Sequence, residues 1–143
     1  MGYTEALKAA GAKVLLHKTV GSYQGEWVAV VEKDGEVKAL HAYYGSCSGC
    51  DAFEAEFGYD IHSYESHGDG TYFSNYDEGT WRDDCAECQN FKAKLKVFGE
   101  KYLAEAVPVA DLIVSIGKDV MEYGWEDKAQ LKDALAEWLA ANG

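Results

Sequence analysis

Residues 26–44, EWVAVVEKDGEVKALHAYY, decide the architecture. Asp34-Gly35 is a pair whose tolerance of positive φ suits a two-residue hairpin turn, and the runs on either side, Glu26 to Lys33 and Glu36 to Tyr44, read as strands. With the turn there, Trp27, Ala29, Val31, Leu40 and Ala42 fall on one face, and Val28, Val30, Val37, Ala39 and Tyr43 on the other. Both faces are apolar, so the hairpin predicts an antiparallel sheet covered on each side. Upstream, Lys13 to Val20 reads as another strand, followed by the Gly21-Ser22 turn signal, and Tyr3 to Ala10 as a short helix ending at Gly11.

Downstream the period changes. Phe91, Leu95, Phe98 and Tyr102 recur at helical spacing, Cys88 extends the same face, and Asp83 or Asp84 is the expected N-cap. Pro108 stops that helix and opens the next, where Leu112, Ile113, Ile116 and Val120 repeat; after Gly124 a last helix carries Leu131, Leu135, Trp138 and Leu139. The expectation is an α+β chain forming a single domain: an N-terminal β-meander over 1–50, an insertion over 51–84 and helices over 85–143.

The chain's four cysteines form two Cys-x-x-Cys pairs, Cys47 with Cys50 directly after the hairpin and Cys85 with Cys88 opening a helix. Four soft thiolates can close a tetrahedron around zinc at about 2.3 Å. The arrangement resembles a treble-clef zinc site, in which a knuckle and a helix's first turn give two ligands each. It departs from the common four-cysteine spacing of about 15 to 20 residues through its 34-residue spacer, 51–84, which therefore reads as an insertion built on the site. Four protein ligands leave no position for a reactive water, so the expected Zn2+ is structural. Iron is the less favoured occupant of the same ligands.

A competing reading is a thiol-disulfide oxidoreductase using Cys47 and Cys50, because strand, Cys-x-x-Cys and the short helix Asp51 to Phe57 follow in the order of a thioredoxin-like motif. Against it, the preceding strands form a meander rather than a βαβ unit, Pro108 sits beside a helical pattern, and the second cysteine pair is left without a role.

The net charge of −12 is concentrated in the insertion. Residues 51–84 hold ten acids against Arg82 alone, a net of −9, together with eight aromatic residues. Such a field repels phosphate backbones and anionic lipid, so direct binding of nucleic acid or membrane is not expected and a basic protein partner is. The candidate contact residues are Tyr72, Phe73, Tyr76, Asp77, Glu78, Trp81, Asp83 and Asp84. No apolar run exceeds five residues, and Met1 to Ala10 lacks the sections of a signal peptide, which predicts a cytoplasmic protein with reduced thiols.

His62 and His67 lie in the acidic insertion, where their spacing matches no standard ligand pair and a solvated reading outweighs a second metal site; His41 and His17 read as hydrogen-bonded core residues. Neither a Gly-rich phosphate loop nor a Gly-x-Ser-x-Gly elbow occurs, and no catalytic pair stands out among the carboxylates, so a non-enzymatic module is favoured. Tyr44-Gly45-Ser46-Cys47-Ser48-Gly49-Cys50-Asp51 resembles a phrase found in small uncharacterised proteins of bacteriophages and their hosts. That resemblance implies a phage-encoded accessory or inhibitor protein and no particular activity.

Overall fold

The computed structural model describes residues 2–22, 24–45, 51–57 and 78–143. Its elements are α1 (Tyr3–Ala9), β1 (Lys13–Gly21), β2 (Gly25–Lys33), β3 (Glu36–Tyr44), α2 (Ala52–Phe57), a 3-10 turn (Glu78–Thr80), α3 (Ala86–Leu103), α4 (Val109–Tyr123) and α5 (Glu126–Asn142). An antiparallel sheet in the order β1-β2-β3, followed by helices, is the α+β arrangement that the sequence predicts.

Asp34 and Gly35 both take positive φ, 54° and 81°, which is the primed turn that matches strand twist. The turn fixes the register: Lys33 pairs with Glu36 and Trp27 with Ala42. That register sorts the side chains as alternation requires. Trp27, Ala29, Val31, Leu40 and Ala42 pack with Tyr3 and Leu7 of α1, Phe53 of α2, and Leu95 and Phe98 of α3. Val28, Val30 and Ala39 pack on the opposite face with Leu112 and Ile116 of α4 and Leu131 and Leu135 of α5. The sheet is therefore the middle of three layers. Val37 and Tyr43, expected on the second apolar face, are exposed at 38% and 61% because they lie towards the two ends of β3.

Two close approaches hold the layers. A Cβ on Gly99 would collide with the carbonyl oxygen of Ala6, so α1 and α3 cross where α3 has no side chain. Val107 and Ala39 exchange backbone hydrogen bonds of 2.7 and 2.9 Å, which ties the connection between α3 and α4 to β3. Pro108 then caps α4 at φ −54°, and Gly124 ends it in the left-handed conformation at φ 68°.

Two sequence expectations need correction. Neither Asp83 nor Asp84 caps α3; the cap is Cys85, while Asp84 accepts from the Arg82 guanidinium at 3.0 and 3.1 Å and Asp83 lies 3.5 Å from Lys92. A local arginine offers Asp84 a charge-assisted fork, a stronger partner than a backbone amide. His17 is exposed rather than a core residue: it lies on β1, an outer strand of the sheet, with its ring against Trp27, 5.5 Å away. Among the described residues no helix is long and apolar enough to cross a membrane.

Candidate functional site

The first turn of α3 is built around sulfur. Cys85 sits in extended backbone at the cap, and its Sγ accepts the Cys88 amide at 3.2 Å. Thiols are rare as caps, and this one does the work normally given to a Ser or Asp oxygen. The Cys85 thiol also donates to a Glu87 carboxylate oxygen at 3.6 Å. Both cysteines are buried, Cys88 completely, with Trp81 packed on them. Burial pushes the Cys88 thiol upward, reinforced by its hydrogen bond with Cys85, whereas a reactive redox thiol requires the opposite displacement.

The chain flanking the other pair is anchored by Asp51. Its carboxylate is 2% exposed and accepts the Tyr3 hydroxyl at 2.7 Å, the Gly45 amide at 2.9 Å and the Phe53 amide at 2.9 Å. The Phe53 contact is an N-cap for α2; the Gly45 contact fastens the exit of β3 to the start of that helix. Gly45 and Asp51, on either side of residues 46–50, are thus held together. Cys47 and Cys50 themselves lie outside the described residues.

A run of aromatic rings connects these two regions. Trp81 meets Phe91 at 5.3 Å, Phe91 meets Phe57 at 5.1 Å, and Phe57 meets Phe53 at 4.6 Å. Phe53 also meets Phe98 at 5.6 Å, so the start of α2 is level with the middle of α3 and its end points back toward the cysteine turn. Along an α-helix the ten steps from Cys88 to Phe98 span about 15 Å.

Of the expected contact residues, Tyr72, Phe73, Tyr76 and Asp77 lie outside the described residues, as do His62 and His67, and Glu78 begins the 3-10 turn. Trp81 is half-buried against the cysteines and Phe91, with Lys92 above its ring at 5.9 Å. Asp83 and Asp84 are exposed beside it. Trp81 is thus a packing residue for the first turn of α3, and the two carboxylates lie exposed just ahead of that turn. Among the described residues no group of three or more His, Cys, Asp or Glu side chains is placed to hold a metal.

A second polar cluster lies on the opposite face of the sheet. Glu26 Oε1 is 2.6 Å from Lys128 Nζ and 2.7 Å from His41 Nε2, and Asp119 lies 3.8 Å from Lys128. Lys128 is 3% exposed and sits over the rings of Tyr43 and Trp125 at 5.6 and 5.3 Å. Burial presses the ammonium toward neutrality, but the hydrogen bond and charge of Glu26 outweigh it and the net displacement is upward. Lys128 is therefore a fixed cation rather than a base or nucleophile. Burial lowers His41, against the pull of Glu26 and with the push of Lys128, so the imidazole is neutral and hydrogen-bonded as its strand position predicts.

Sequence reading missed Asp51, Glu26 and Lys128. Signals for them exist: Asp51 directly precedes a helix, Glu26 shares the alternating face of Val28 and Val30, and Lys128 stands at helical spacing from Leu131 and Leu135. A charge on an apolar stripe predicts a buried partner.

No family model, curated protein or solved structure matches this chain.

Proposed function

We propose that the protein is a non-catalytic interaction module in which Cys47, Cys50, Cys85 and Cys88 hold a structural Zn2+ and the acidic, aromatic 51–84 segment engages a basic partner. The observation that supports this reading is the Cys85–Cys88 turn, where an amide pointing at sulfur and near-complete burial of both thiols suit a ligand pair in a helix's first turn. Zinc would supply charge compensation for buried thiolates and a covalent tie between the sheet and α3. The reading makes a definite demand on the chain: Cys47 and Cys50 must reach from the Asp51 anchor to the first turn of α3.

Elemental analysis with thiol counting on purified protein is the test. One zinc per chain with four thiols masked until the metal is chelated is the expected result; a metal-free protein with reactive thiols overturns it. For the partner, Asp77, Glu78, Asp83 and Asp84 are neutralised together, and binding to basic candidate proteins is expected to weaken and to lose its salt dependence. In the sharper form of the reading, motivated by the net charge of −9 and the eight aromatic residues of 51–84, the segment imitates nucleic acid against a basic groove of a host protein. An oxidoreductase would instead display dithiol-dependent disulfide reductase activity that Cys47→Ser abolishes.

A further inference from the structure

The corner where α4 hands over to α5 has no part in the cysteine region and lies on the other side of the sheet. Its sequence, Met121-Glu122-Tyr123-Gly124-Trp125-Glu126-Asp127, is exposed at every position. Large apolar side chains are among the most exposed of the molecule there: Met121 is 89% accessible, Tyr123 56% and Trp125 49%. Left-handed Gly124 turns the chain sharply enough for Tyr123 and Trp125 to stack, with centroids 4.7 Å apart and planes only 16° from parallel. The pair is a preformed flat platform, and aromatic platforms lose little conformational entropy on binding.

Its electrostatics choose the partner. From Asp119 to Lys128 there are four acids against Lys128 alone, and Lys128 is buried on Glu26. Lys128 already places one cation over Trp125 at 5.3 Å, the geometry of a cation–π contact. Exposed rings flanked in sequence by the exposed Glu122, Glu126 and Asp127 offer a guanidinium a face to stack on with carboxylates nearby in the chain, a combination that arginine satisfies better than lysine.

We infer that this corner is a docking surface for an arginine-rich segment of a protein partner. The inference rests on the reading of the protein as an acidic interaction module, and gives that module a second contact surface, across the sheet from α3.

The test is calorimetric titration of the full chain, metal content measured on the same sample, with an oligoarginine peptide and an oligoglutamate control. Saturable binding of oligoarginine alone is expected, weakened about tenfold by Tyr123→Ala and to a similar degree by Glu122→Gln/Glu126→Gln/Asp127→Asn. The charge variant removes no packed side chain, so it decides the matter if Tyr123→Ala is poorly folded. Glu100→Gln/Glu105→Gln, at exposed carboxylates outside both proposed contact surfaces, is expected to leave binding unchanged. Absence of binding, or loss confined to the Glu100/Glu105 variant, overturns the corner. So does equal loss in both charge variants with a folded Tyr123→Ala unaffected, since that is unspecific attraction. Corner-dependent binding by a protein found free of zinc supports this surface while removing the metal reading, so the two fail separately.

Discussion

The Tyr3 hydroxyl donates to the Asp51 carboxylate at 2.7 Å across 48 positions of sequence, and the same hydroxyl accepts the Phe53 amide at 3.3 Å. Through these two residues the first helix, the exit of the hairpin and the start of α2 share one buried polar junction. Ring contacts of Tyr3 with Trp27, Phe53, Phe98 and Tyr102, all within 6.0 Å, surround it with apolar surface. A hydrogen bond in such surroundings is strong, and its removal is correspondingly costly.

Asp51→Ala removes the acceptor for three donors and is expected to cost about 3 kcal/mol, while Tyr3→Phe, which deletes one donor to a charged group, costs about 1.5 kcal/mol. Urea unfolding of the two single variants and the double variant measures both. The double variant should fall short of the sum, since the variants share one bond.

Burial, then the bond to Asp51, raises the Tyr3 hydroxyl far above its ordinary range. Its protonated form is favoured in the fold, so the stabilisation is complete below the unfolded tyrosine value of about 10 and declines as pH rises beyond it. Alkaline unfolding monitored by circular dichroism should begin there, and Tyr3→Phe should flatten the decline.

His41 behaves in the opposite sense. Its folded value is lowered, chiefly by burial, so its contribution is present above the unfolded histidine value of about 6.5 and is lost as pH falls through the folded one. Lys128 contributes to that lowering by repulsion. Lys128→Met is therefore expected to move the His41 titration upward, as followed by NMR of the ring protons. It should also cost about 3 kcal/mol, because Glu26 loses the stronger of its two partners.

Replacing a helical glycine by alanine ordinarily stabilises by about 1 kcal/mol. Gly99→Ala should do the reverse. The new methyl group meets backbone oxygen of Ala6 rather than a flexible side chain, so α1 must move away from α3, at a cost of about 2 kcal/mol. Thermal melts give the sign directly; stabilisation by this substitution would contradict the close crossing.

The hairpin was legible because its information is local: Asp34-Gly35 sets the turn, the turn sets the register, and period-two alternation assigns Trp27 and Val28 to opposite faces. The α3 stripe of Cys88, Leu95 and Phe98 was legible for the same reason at helical period. Local propensity misled at the α3 cap, where two aspartates looked better suited than Cys85. An exposed carboxylate beside an arginine has its partner already, while the buried Cys85 sulfur stands where it can accept the helix amide of Cys88.

What the amino-acid sequence determined alone is the set of elements, the register of the hairpin and the need for apolar cover on both sides of the sheet, since each follows from residue order and backbone geometry. Only the tertiary structure decided which helix covers which face, that Asp51 is a buried junction rather than one more acid of the insertion, and that Lys128 meets Glu26 across 102 positions. Periodicity reports that a side chain faces inward. Whether it finds a hydrogen-bond partner there depends on distances between segments remote in sequence, and those exist only once the layers have packed.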